Sequence, residues 1–121
     1  MKRFSLWVVP AVMFGGAVAW ADPPPAKTAE LLAAGKTSFT TNCASCHGAT
    51  GMGDGVASAA LNPKPRNFKT EEFKFGSSLE AVFATLAKGS PGTAMIAWPH
   101  LPESERWALA YFVEGLGRPA K

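Results

Sequence analysis

Thr41-Asn42-Cys43-Ala44-Ser45-Cys46-His47-Gly48 is the stretch from which the rest of this chain can be read. On a helix, Cys43 and Cys46 lie three positions apart and Cys43 and His47 four. Two thiols and an imidazole then project from one face. Thiols so placed can add to the two vinyl groups of one haem while the imidazole reaches its iron. Cys-x-x-Cys-His is accordingly the attachment pattern of c-type haem. Two other readings of the same residues are weaker. A thioredoxin-like redox pair needs a βαβ setting, and no strand–helix alternation surrounds this one. A structural zinc site needs four ligands. The chain holds two Cys and two His in all, with His100 53 residues beyond His47 and no paired spacing.

Outward from the motif, composition is uneven. The 121 residues make room for one domain. Lys2 and Arg3 precede 18 uncharged residues, Phe4 to Ala21, which close on the small-residue end Ala19-Trp20-Ala21. That order reads as a secretory signal peptide over residues 1–21. The apolar run is at the lower edge of spanning length, and Pro10, Gly15 and Gly16 interrupt it. Asp22 and three prolines follow instead of a basic stop-transfer cluster. Cleavage after Ala21 is the expectation, with a retained anchor as the alternative.

Beyond Ala21 the charges nearly balance, since loss of Lys2 and Arg3 leaves 10 basic against 9 acidic residues. The lysines form no run, which argues against a nucleic-acid interface. Residues 22–121 contain 8 Leu, 3 Val, 1 Ile and 6 Phe, a small supply for a self-sufficient core. They also contain 17 Ala. Scarce β-branched aliphatics argue against sheet. A small, Ala-rich helical chain with too few large aliphatics implies that a non-protein group fills part of its core.

Residues 22–27 read as a mobile, proline-rich leader. A first helix is predicted from Thr28 into the motif, with Leu31, Gly35, Phe39 and Cys43 on one face. Gly48, Gly51, Gly53, Gly55, Pro63 and Pro65 then mark irregular backbone wrapping close to a bulky object. Ser77 and Glu80 fit a capping box for a helix to Lys88, ended by Gly89, with Leu79, Val82, Phe83 and Leu86 as its stripe. After a second irregular segment, a last helix starts near Pro102 and buries Trp107, Ala108, Tyr111 and Phe112.

With His47 on one side of an iron, the opposite position decides whether the site is closed, and transfers electrons, or open to small ligands. Met52 follows His47 too closely to cross to the other face. Met95, 48 residues away on a Gly/Pro-rich segment, can fold over it. His100, constrained by Pro99, and an open position are the alternatives to Met95.

Together these residues resemble the small class I monohaem cytochromes c of bacteria. The likeness runs over nearly all of residues 27–118. It takes in Gly35 and Phe39 ahead of the motif, Gly51-Met-Gly-Asp-Gly55, Leu61-Asn-Pro-Lys-Pro-Arg-Asn-Phe68, Gly92-Thr-Ala-Met95 and the aromatic helix with Trp107 and Tyr111. Ile96 departs from the proline often found after the methionine, and implies a less rigid ligand loop.

The resemblance implies an all-α fold of three to five helices around one covalent haem, spanning residues 28–118. At its helix crossing, Gly35 and Phe39 would meet Trp107 or Tyr111. Cys43 and Cys46 would hold the haem and His47 and Met95 its iron. The carbonyl of Pro63 or Pro65 would accept from the His47 ring, and Arg66, Asn67 and Trp98 would contact the propionates. The function implied is that of a monomeric periplasmic electron carrier between a donor and an acceptor redox protein. It would turn over no substrate and keep no membrane insertion. A haem subunit of a dehydrogenase or oxidase complex, or a small haem enzyme with a labile distal ligand, are the alternatives.

Overall fold

The computed structural model describes residues 22–117; the signal-peptide reading concerns residues 1–21 and lies outside them. Among the described residues there are four α-helices, one 3-10 turn and no strand. The helices are α1 (Ala29–Asn42), α2 (Ala44–His47), α3 (Leu79–Lys88) and α4 (Glu103–Gly117), with the 3-10 turn at Ser58–Ala60.

Helix α1 begins where Thr28, in extended backbone, accepts from the Leu31 amide at 3.1 Å. It does not run unbroken into the motif. Cys43 leaves helical geometry (φ −122°, ψ −31°) and α2 restarts behind it. Helical spacing survives the break, because the His47 amide still donates to the Cys43 carbonyl at 2.9 Å. Helix α3 is capped by Ser78, whose hydroxyl accepts from the Ala81 amide at 3.2 Å, rather than by Ser77. Glu80 then stands in the first turn, where it faces the positive helix end instead of reaching back to a cap. The helix ends at Gly89 as expected.

Helix α4 packs against both α1 and α3. Its buried residues are Trp107, Ala108, Leu109, Ala110 and Val113, a wider face than one stripe because two helices cover it. Phe39 and Leu109 are the largest fully buried side chains. Each contributes about 1.5–3 kcal/mol by leaving water. At the α1–α4 crossing a Cβ on Gly35 would run into the Ala108 carbonyl and the Phe112 side chain. Phe39 meets Phe112, with ring centroids 5.2 Å apart, and Phe68 at 6.4 Å.

The two aromatics expected at that crossing are used elsewhere. Trp107 stacks on Phe83 of α3 at 3.9 Å and 16°. Tyr111 donates its hydroxyl to the Pro25 carbonyl at 2.7 Å, and Lys27 stands 5.8 Å from the centre of its ring. The proline-rich leader thus meets α4 at Pro25 and Lys27. Its prolines leave carbonyls without neighbouring backbone donors, and a tyrosine hydroxyl supplies one.

Candidate functional site

Cys43 and Cys46 are free thiols, each half-buried. Burial, with the neighbouring Cys46 adding to it, pushes the Cys43 thiol up to about 11. It is therefore held neutral near pH 7. Helix α2 is four residues long and owes its position to the loop that follows it. That loop folds back over the motif: Gly53 donates to the His47 carbonyl (2.8 Å), Gly55 to that of Cys46 (3.1 Å) and Ala57 to that of Ser45 (2.9 Å). The glycine-rich stretch thus wraps the motif's own backbone, and the Phe68 amide joins it by donating to Gly51 at 2.8 Å.

His47 is fixed from two sides. Its Nδ1 lies 3.3 Å from the Arg66 carbonyl, so that nitrogen is the protonated one and Nε2 keeps its lone pair. Its ring stacks on Phe68 at 4.7 Å and 20°. The carbonyl partner is Arg66, not Pro63 or Pro65. Pro63 is exposed and the Pro65 carbonyl lies against Gly53, which leaves the Arg66 carbonyl to meet the ring. The contribution of Arg66 seen here is from its backbone. Burial lowers the His47 pKa, and the Arg66 carbonyl opposes that in part.

Met95 is half-buried and packs on the same core cluster that Cys43 touches, although 52 positions separate them in the chain. Met52 is 47% exposed and His100 is exposed. Backbone bonds set the Met95 segment. Its amide meets the Thr93 hydroxyl at 3.1 Å, its carbonyl accepts from Ser90 at 2.9 Å, and the Trp98 amide donates to Leu86 at 2.8 Å. Trp98 turns its ring toward His100, centroids 5.4 Å apart.

Sequence reading passed over Phe68 as a site residue and over Leu109 and Val113 as core. An aromatic two positions after Arg66, beside the motif's glycine loop, was the available signal for Phe68. Two surface hollows, of about 510 and 410 Å3, are lined chiefly by residues 68–77 and by α1 with α4; neither includes Cys43, Cys46, His47 or Met95.

The donor set fits a covalently held haem. Two unpaired thiols stand beside an imidazole whose free nitrogen is Nε2, and a thioether is brought to the same core. No helix among the described residues is long and apolar enough to cross a membrane.

Comparison with known proteins gives a family model, Cytochrome c, that matches residues 32–117. No curated protein matches the chain. Among solved structures, it is similar to a chain of the Kuenenia stuttgartiensis reducing HAO-like protein complex Kustc0457/Kustc0458, with a TM-score of 0.65 and 33% identity. That match covers 69% of this chain and 41% of the other, so this chain spans less than half the length of the structure it matches.

Proposed function

We propose that this chain, which belongs to the cytochrome c family, is a periplasmic one-electron carrier in which His47 and Met95 hold the iron of its c-type haem from opposite sides. Membership of the family carries the covalent haem and electron transfer with it. The placement, the axial pair and the absence of a turned-over substrate are our reading.

Bound to Cys43 and Cys46, the haem supplies an iron that changes by one electron. The protein's part is to keep its ligands still while that happens. Arg66 holds the proton of His47 on Nδ1, and Phe68 holds the ring plane. The bonds at Thr93, Ser90 and Leu86 hold the Met95 segment in one geometry. With Met95 and His47 holding the iron, the thioether would raise the reduction potential. Met52, Val56 and Ile96, three of the large apolar residues left exposed, border the motif loop or adjoin Met95. They offer a partner an apolar contact, with Asp54 the one charge exposed between Met52 and Val56.

The observation that carries this reading is the position of Met95 on the core cluster shared with Cys43, while Met52 and His100 face solvent. Met95→Ala should keep the haem attached, make the reduced protein bind carbon monoxide and lower the potential. If Met52→Ala or His100→Ala does this and Met95→Ala does not, the ligand assignment is wrong.

A second reading makes the chain a haem subunit held in a larger assembly. Its support is that the similar solved chain comes from a protein complex. Sedimentation of the native extract separates a free carrier from a bound subunit.

A further inference from the structure

We propose that Arg106 is the positioning residue that keeps the Met95 segment closed over the haem; this rests on Met95 being the distal ligand. The segment joins α3 to α4, and its two halves are held by different means. On the α3 side the backbone does the holding, through the Ser90–Met95 and Leu86–Trp98 bonds. Gly89, which caps α3, lies so close to the backbone of Met95, Ile96 and Ala97 that no Cβ fits between them.

Past Trp98 this support thins. Pro99 and Pro102 have no amide to donate, and the one backbone bond in the turn, Leu101 to Trp98, is long at 3.3 Å. Arg106 supplies what is missing. Its Nη1 donates to the Pro99 carbonyl at 3.1 Å and to the Leu101 carbonyl at 3.0 Å. One charged group on α4 thereby closes the turn that ends the Met95 segment.

The guanidinium is itself located by packing. It lies 5.2 Å from the centre of the Phe83 ring, which stacks on Trp107. Its Nε is buried without a hydrogen-bond partner. The carbonyls of Pro99 and Leu101, together with the aromatic pair, therefore fix its orientation. Arg106 ties the segment to the α3–α4 core at the end where the backbone does not. Lifting Met95 off the iron then requires this tie to break or stretch, and its loss raises the population of the open segment.

The test uses holoproteins. Arg106→Ala and Arg106→Met both remove the donors, and the second keeps an apolar stem over Phe83 should the first fail to accumulate. Arg106→Lys restores a charge and donors without the planar fork. Ser38→Ala is the control, since it removes a different link between α1 and α4, the 2.6 Å bond from the Ser38 hydroxyl to Glu105. Three quantities are read: the carbon monoxide association rate of the reduced protein, the thioether-to-iron absorption of the oxidised protein, and amide exchange at Trp98 and Leu101.

Loss of the donors should leave the haem attached, raise the carbon monoxide rate by about tenfold or more, since one charged hydrogen bond alone corresponds to about that factor and two are lost, and speed exchange at both amides. Arg106→Lys should recover part of the difference, and Ser38→Ala should behave as wild type. The proposal is overturned if the donor-free variants match wild type while Met95→Ala opens the site. It is equally overturned if Ser38→Ala does as much as they do, or if Arg106→Lys recovers nothing. A Met95→Ala protein with unchanged absorption and carbon monoxide rate removes the ligand reading and this inference with it.

Discussion

His47 shows how single side chains are tuned here. Burial disfavours its charged form and lowers its pKa below 6.5, with the Arg66 carbonyl pulling the other way. A depressed folded pKa contributes stability above the unfolded value and loses it as pH falls through the folded one. Cys43 differs in sign and in outcome. Burial and the neighbouring Cys46 raise its pKa to about 11, so the neutral thiol is the favoured form near pH 7.

The decisive contact between elements is that of α1 with α4 at Gly35. Two effects of Gly35→Ala oppose each other. Alanine improves helix propensity by about 1 kcal/mol, while overpacking at a tight contact costs about 1–3 kcal/mol. The obstacle is the Ala108 carbonyl, which is backbone and cannot rotate away. Overpacking therefore wins. Thermal melts of the Gly35→Ala holoprotein should show a midpoint lower by several degrees, at roughly 4–8 °C per kcal/mol. An unchanged or higher midpoint would mean that the helices can separate slightly without loss.

Considered whole, the molecule has a small core. The buried hydrophobic residues are Phe39, Val82, Leu86, Trp107, Ala108, Leu109, Ala110 and Val113, drawn from α1, α3 and α4, while Cys43, Phe83 and Met95 only border them. The chain without haem should therefore lack a cooperative melt by circular dichroism, because its few large apolar side chains do not offset the ordering entropy. A helical, cooperatively melting apoprotein would show that the polypeptide core suffices. Charge acts at the same scale. With 10 basic against 9 acidic residues beyond Ala21, and apolar Met52, Val56 and Ile96 exposed about the site, long-range steering is weak. Second-order electron exchange should change by less than about tenfold between low and physiological salt. A steeper fall would point to Lys64, Arg66, Lys69 and Lys74 acting together as a basic docking face.

The crossing role of Gly35 was implied by the family resemblance, whereas the haem motif, the helical class and the end of α3 at Gly89 were legible in the residues themselves. Each depends on residue type and on spacing of a few positions, and such spacing maps directly onto helix geometry. What the fold alone decided was which distant groups meet. Arg66 rather than Pro63 faces His47, because a carbonyl's partner depends on where an irregular loop approaches, and every residue carries a carbonyl. Tyr111 took the leader, and Trp107 took Phe83. Arg106 became a tie for the Met95 segment through bonds to Pro99 and Leu101. These pairings join side chains to backbone or ring to ring across separate elements, and their partners carry no pattern in sequence. Only the packing of α1, α3 and α4 around one core selects them.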